Sequence, residues 1–352
     1  MPDIEVIARV DPRTLAGFDA IIDVRSPSEF AEDHVPGAIN LPVLDDTERA
    51  QVGTIYVQDS RFRARRIGAA LVARNVARHL ESALADRPGG FRPLIYCWRG
   101  GQRSGAMATI LAQVGWRTAV IAGGYKTYRR HVQARLYEDE SALRLVLLGG
   151  RTGSGKTELL AHLAARGVQT LDLEALAEHR GSVFGAVGHA QPSQKLFESR
   201  LLAAIEALDP SRPTVVEAEA SKIGDRMVPP GLWKAMAAAP RIVLSVPGDV
   251  RARYLAGHYA HVVADRAAFE AALRRLPVHI GRKTLEVWRA LADAGDLEAL
   301  AMGLIEAHYD PAYDRADRRD GGRAALATIA MGGLAPADLD AAARRIETIL
   351  SS

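Results

Sequence analysis

The stretch Pro93-Leu94-Ile95-Tyr96-Cys97-Trp98-Arg99-Gly100-Gly101-Gln102-Arg103-Ser104 reads as the end of an apolar strand, a glycine-rich turn and the start of a helix. The helical pattern continues over residues 104–114. Cys97 is the single cysteine of the 352-residue chain, so an internal disulfide is excluded. Strand, turn and helix in this order place the thiol among backbone N–H groups at a helix N-terminus. Such a loop stabilises a thiolate and holds an anion beside it. Cys97 is the candidate nucleophile or carrier. Arg103 supplies a fixed cationic fork for the same anion. Trp98, Arg99, Gly100, Gly101, Gln102 and Ser104 complete the predicted anion loop. Two chemistries remain open for it: attack on a phosphate ester, and carriage of a chalcogen atom on the thiol.

Working outward, short strands alternate with helices. Residues 20–24 form an apolar strand running into a charged turn, residues 67–85 a long helix and residues 118–121 another strand. A basic helical segment, residues 125–136, closes this half. The rhythm predicts a parallel sheet covered by helices, a domain over residues 1–136. A charged linker spans residues 137–142. A second α/β rhythm then starts with the apolar run 143–148, followed by Gly149-Gly150-Arg151-Thr152-Gly153-Ser154-Gly155-Lys156-Thr157 and a helix. Further strands are expected at 169–173, 214–216 and 241–246. The region beyond residue 250 reads as mostly helical, including the alanine-rich last thirty residues. The second domain is therefore placed at residues 143–352.

Gly150, Gly155, Lys156 and Thr157 satisfy the phosphate-loop pattern, with the strand before and the helix after that it requires. Gly153, Ser154 and their neighbours supply amides to phosphate oxygens, Lys156 a point charge, and Thr157 a hydroxyl for Mg²⁺. The pattern specifies a di- or triphosphate, not which one. Glu217, ending the strand 214–216, and Asp172 are candidates to hold a metal's water; Glu219 lies two residues on. The alternative for these acids is a plain surface role. Residues 180–182 and 191–195 fall in a glycine-rich stretch suited to a substrate lid.

The composition, 48% hydrophobic and 25% charged with net charge +3, is that of an ordinary globular protein. No apolar run is long enough to span a bilayer, and the acidic N-terminus predicts no secretory leader. One cysteine suits a reducing cytoplasm. Of 45 basic residues only six are lysines. Arginine clusters at residues 61–66, 129–131 and 315–323 are candidate contacts to nucleic-acid phosphates, or else solvated faces.

Asp23-Val24-Arg25, then Glu29-Phe30 and His34-Val35-Pro36-Gly37-Ala38-Ile39-Asn40, resemble rhodanese-type sulfurtransferase domains over residues 12–135. The cysteine loop, C-x₅-R, is one residue longer than that family's usual loop. It matches the length in related cell-cycle phosphatases. Such a domain ahead of a phosphate-loop domain is a rare pairing. Together with Val52-Gly53-Thr54-Ile55-Tyr56, the run GAALVARN at residues 68–75, and His308-Tyr309-Asp310-Pro311-Ala312-Tyr313, it closely resembles the bacterial tRNA 2-selenouridine synthase family over residues 10–320.

The resemblance implies a cytoplasmic transferase that converts wobble 2-thiouridine in a tRNA anticodon loop to 2-selenouridine. It implies an S-geranyl-2-thiouridine intermediate made from geranyl diphosphate, then selenium from selenophosphate. No tightly bound cofactor is expected, Mg²⁺ is allowed, and a transient contact with the selenophosphate-producing enzyme is allowed. On this expectation Cys97, Arg103 and their loop bind selenophosphate, while Gly150, Gly153, Ser154, Gly155, Lys156 and Thr157 bind diphosphate. Two rival readings account for one loop each: a C-x₅-R phosphatase or arsenate reductase, and a nucleotide switch whose first domain only docks a partner.

Overall fold

The computed structural model describes residues 4–138, 143–180, 190–218, 220–277, 280–319 and 324–351. Along the first half run β1 (Glu5–Ile7), α1 (Pro12–Leu15), β2 (Ala20–Asp23), α2 (Pro27–Glu32), β3 (Ile39–Asn40), α3 (Asp46–Gln58), α4 (Arg61–Glu81), β4 (Pro93–Tyr96), α5 (Gln102–Val114), β5 (Ala119–Ile121) and α6 (Tyr125–Gln133). The second half opens with β6 (Arg144–Gly150), α7 (Lys156–Ala165), β7 (Gln169–Leu171), α8 (Leu173–Leu176), α9 (Gln194–Glu206) and β8 (Pro213–Glu217). A small hairpin, β9 (Lys222–Ile223) and β10 (Arg226–Met227), precedes α10 (Pro230–Ala238) and β11 (Arg241–Ser245). The chain finishes with α11 (Gly248–Ala264), α12 (Arg266–Arg274), α13 (Arg282–Asp293), α14 (Leu297–Leu304), α15 (Asp310–Arg319), β12 (Ala327–Ala330) and α16 (Pro336–Ser351).

Two compact units result. The first combines Met1–Asp139 with Pro192–Glu206, the second Glu140–Gln191 with Ala207–Ser352. The first unit holds a parallel five-stranded sheet in the order β1-β5-β4-β2-β3. All four residues of β4 are buried, because helices cover both faces of a parallel sheet and demand a continuous apolar run. Ile22, Val24, Ile95, Val76 and Met107 meet in its core. The second unit holds another parallel five-stranded sheet, β12-β11-β6-β8-β7, with Leu148, Leu160, Val215, Ile242 and Ile346 in its core. Its helical part buries Leu255, Phe269, Trp288 and Leu304 in a separate cluster.

In each sheet the middle strand is the one that leads into a sequence-predicted loop. β4 delivers Cys97 and β6 delivers the phosphate loop, both at carboxyl ends of strands, where open α/β sheets bind ligands.

Three elements depart from the sequence reading. The last thirty residues are not wholly helical: β12 pairs in register with β11, Ile242 opposite Ala327 and Ser245 opposite Ala330. A four-residue alanine-bearing edge strand carries little β signal of its own. The long helix expected at 67–85 starts six residues earlier, at Arg61, capped by the Ser60 hydroxyl on the Arg63 amide. Residues 194–206, lying between β7 and β8 in sequence, are helix α9 of the first unit, with Phe197, Leu201 and Leu202 buried. The domain expectation of residues 1–136 and 143–352 left this segment with the second half.

Candidate functional site

Cys97 sits at the end of β4 with 3% of its surface exposed. Its Sγ accepts hydrogen bonds from the Gly101 amide at 3.3 Å and the Ser104 hydroxyl at 3.2 Å. Burial pushes the thiol pKa up. The Ser104 hydroxyl and the amides of Ser104, Gly101 and Arg99 outweigh it, and the pKa lies below the ordinary thiol value. These groups favour the thiolate. Arg99, Gly100, Gly101 and Gln102 form an exposed rim around the buried sulfur.

The loop is held from outside by the start of α6. The Tyr125 amide donates to the Cys97 carbonyl at 2.8 Å and the Lys126 amide to the Trp98 carbonyl at 3.2 Å. Gly124 permits this approach: its φ is +61°, and a Cβ there would lie 2.1 Å from the Cys97 oxygen. Trp98 stacks on Tyr125 at 5.2 Å, and the Arg25 guanidinium lies 4.1 Å from the Tyr125 ring centroid. Arg25 is itself buried and bonded to the Asp23 carboxylate and the Asp33 carbonyl. The Asp23-Val24-Arg25 motif therefore forms the floor beneath the cysteine loop.

Arg103, read from the sequence as a cationic fork for the anion beside Cys97, is engaged with a carboxylate. Its Nη1 donates to Glu29 at 2.8 Å, and Glu29 also pairs with Arg49 at 3.0 Å. The cause is local. The capping box of α2 fixes Glu29 at the third helical position, where its carboxylate meets the first turn of α5.

In the second unit, β6 turns at Gly150 into the phosphate loop. Lys156 Nζ donates to the Gly150 carbonyl at 3.0 Å, across the mouth of the loop. The buried Ser154 hydroxyl has no hydrogen-bond partner among the described residues. Gly153, with φ +83°, lies so close to α11 that a Cβ would come within 2.9 Å of Leu255 and 3.1 Å of the Arg251 carbonyl. Thr157 donates to Glu174 at 3.0 Å. Glu217, fully buried at the end of β8, accepts from the Leu173 amide at 3.0 Å. Burial, with the charge and hydrogen bond of Asp172, raises its pKa well above the ordinary carboxylate value. Asp172 also caps α8 through the Ala175 amide. Thus both candidate carboxyls meet at the strand ends on the Thr157 side. Glu219 and residues 181–182 lie outside the described residues.

A second layer escaped the sequence reading. Arg251, 4% exposed on α11, donates to the Thr152 carbonyl at 3.2 Å and pairs bidentately with Asp310 at 2.9 and 2.8 Å. Arg151, within the phosphate loop, also pairs with Asp310 at 2.9 Å and with Asp314. Asp310, in the quoted run 308–313, therefore ties the loop to α11. Its signal was only an acid in a motif far along the chain, with nothing to name its partner. Burial works against its charge, but Arg251 and Arg151 bring its pKa below the usual carboxylate value.

The fold and the two loops define a class: a rhodanese-like thiolate domain fused to a phosphate-loop domain. Residues 8–131 match the rhodanese-like domain, and residues 143–276 match the tRNA 2-selenouridine synthase AAA domain. A tRNA 2-selenouridine synthase from Cupriavidus necator is 38% identical over 328 residues, covering 84% of this chain and 87% of that protein. One from Shewanella loihica is 33% identical over 331 residues, covering 86% and 88%. One from Aeromonas salmonicida is 39% identical over 246 residues, covering 68% and 65%. The chain belongs to the tRNA 2-selenouridine synthase family, and so is a selenouridine-forming transferase acting on tRNA. None of the helices among the described residues is long and apolar enough to cross a membrane.

Proposed function

We propose that the two loops divide the reaction between them, on a wobble 2-thiouridine in a tRNA anticodon loop. The phosphate loop binds the diphosphate of geranyl diphosphate, and the thiouridine sulfur displaces it at the geranyl C1. The sulfur leaves this step alkylated, and diphosphate departs into the amides of Gly153 to Thr157 and the Lys156 ammonium. Stabilising the expelled charge is the catalytic task of such a loop. The Ser154 hydroxyl supplies one further donor. In the second step the Cys97 thiolate attacks the phosphorus of selenophosphate and breaks its P–Se bond; the selenide set free attacks C2 of the uridine, geranylthiol leaves, and water hydrolyses the cysteinyl phosphate to phosphate. Alkylation matters because a thiocarbonyl sulfur is a poor leaving group and a thioether sulfur departs as a thiol.

One observation carries this reading: a lowered-pKa thiol and a phosphate loop each end the middle strand of their own sheet. Two reacting anions thus have two separate cradles. The Glu29 contact holds Arg103 at the shoulder of the cysteine loop, where it borders a bound selenophosphate. When Mg²⁺ is bound, the Thr157 hydroxyl would hold it, with Asp172 and Glu217 reaching it only through water. Among the described residues no group of three or more His, Cys, Asp or Glu forms a metal site, so phosphate oxygens would complete its shell. When bound, the ion would neutralise diphosphate charge.

The test is mass spectrometry of the wobble nucleoside after thiolated tRNA is incubated with each donor alone and with both. Cys97→Ala is expected to accumulate geranylthiouridine and make no selenouridine; Lys156→Ala is expected to make neither product from 2-thiouridine. Normal selenouridine formation by the Cys97 variant would rule out the nucleophile role. A requirement for ATP, with ADP released in step with geranylation, would rule out the diphosphate assignment.

A further inference from the structure

The α3–α4 hairpin carries surface that neither loop explains. The two helices pack through small and buried positions: Ala64 is fully buried, and Gly68 leaves room for Val52, which a Cβ would touch at 3.4 Å. Packing is thus complete without the large side chains at the tip. Val57 is 82% exposed, Phe62 76% and Tyr56 42%. Leaving a Phe ring in water forgoes burial free energy, so three such residues together at one helix junction mark an interaction surface.

The charge at the start of α4 is positive. Residues 60–66, SRFRARR, contain four arginines and no acid. Asp59, the acid nearest in sequence, is already paired with Arg63 at 2.7 Å. The Arg61 guanidinium lies 5.5 Å from the Tyr56 ring centroid. Arg65 and Arg66 are exposed and make no ion pair among the described residues. Phe62 and Arg66, four residues apart, share one side of α4, opposite the buried Ala64 and Gly68. The array is an aromatic ring amid cations: the ring offers a face to an unstacked base, and the arginines offer contacts to the phosphates on either side.

We infer that the hairpin tip is a docking surface for single-stranded or loop RNA of the tRNA substrate, with a base stacked on Phe62 and phosphates on Arg61, Arg65 and Arg66. The inference rests on the tRNA reading above and adds where the RNA is gripped. A protein partner would instead have to bring a compensating acidic face.

The experiment measures binding of thiolated tRNA to the full chain by fluorescence anisotropy across a series of salt concentrations. The variants are Phe62→Ala, Arg65→Ala with Arg66→Ala, and Arg13→Ala as an exposed arginine elsewhere in the same unit. Phe62→Ala is expected to weaken binding about tenfold with an unchanged salt slope. The double arginine variant is expected to weaken binding and to flatten the log–log salt slope by about 1.4, roughly 0.7 for each lost phosphate contact. Arg13→Ala is expected to match wild type. The Cys97 alkylation rate and thermal midpoint of every variant report that the fold is intact.

If wild type binds tRNA and the hairpin variants bind with the same affinity and slope, this surface is not the docking site, while the substrate assignment stands. If wild type shows no tRNA binding, both fall. Loss of a bound protein by Phe62→Ala, with tRNA binding unchanged, would also overturn the inference in favour of a protein interface.

Discussion

Ser104→Ala tests the claim that the loop, and not an arginine, makes Cys97 a thiolate. The Ser104 hydroxyl is fully buried and 3.2 Å from the sulfur, and it is the largest of the contributions that lower the thiol pKa against the cost of burial. Alanine removes that one donor and leaves the Gly101 amide at 3.3 Å in place. A hydrogen bond to a charged acceptor contributes about 1.5–3 kcal/mol, and sulfur belongs at the low end. About 1.4 kcal/mol is a factor of ten, so the ionisation constant of the thiol should fall about tenfold. Iodoacetamide alkylation followed by mass shift reads this directly, because Cys97 is the chain's only thiol. The rate–pH profile of Ser104→Ala should move to higher pH. Ser104→Thr, which keeps the hydroxyl, should restore it. In the nucleoside assay the alanine variant should slow selenation and leave geranylation unchanged. An alkylation profile indistinguishable from wild type would refute the assignment of thiolate stabilisation to this hydroxyl.

Gly124→Ala places a Cβ 2.1 Å from the Cys97 carbonyl at a φ of +61°. Backbone strain and overpacking together should cost about 3 kcal/mol, seen as a lower denaturation midpoint and a Cys97 alkylation profile moved to higher pH. Asp310→Ala leaves Arg251, 4% exposed, without its carboxylate, which should cost about 3 kcal/mol in urea unfolding and weaken geranyl diphosphate binding. Because the Asp310 pKa is lowered in the fold, its stabilisation is present above the unfolded value and disappears as pH falls through the folded one. Asp310→Asn should accordingly flatten the acid limb of the stability curve. Glu217 behaves oppositely. Its raised pKa means that the folded state retains a proton that the unfolded state has lost, so stability falls as pH rises above the unfolded carboxylate value. Glu217→Gln should remove that decline, with a thermal midpoint above wild type at alkaline pH; an unchanged pH dependence would show that Glu217 is ionised in the fold.

What the sequence disclosed and what it hid differ by a physical rule. A loop that follows a buried strand is written in contiguous residues: apolar run, glycines, then a helix cap. Cys97 and Lys156 were legible for that reason, and both loops lie where that order places them. The partners of those loops are set by tertiary meeting points. Arg103 looked free to face the incoming anion because nothing local showed that the capping box of α2 would carry Glu29 to it. Asp310 lies 159 positions beyond Arg151, and no spacing rule joins them. Helix α9 was hidden in the same way: its register is local, but its assignment to the first unit depends on Phe197 and Leu202 being buried there and on Glu198 meeting Arg129. The consequence concerns control of the reaction. If the groups that receive anions are local and the groups that hold them are distant in sequence, the loops fix the chemistry. The long-range carboxylates, Glu29 and Asp310, then decide how firmly each arginine is held when the anion arrives. Substituting the carboxylates should therefore change donor affinity more than the identity of the product, and substituting Cys97 should do the reverse.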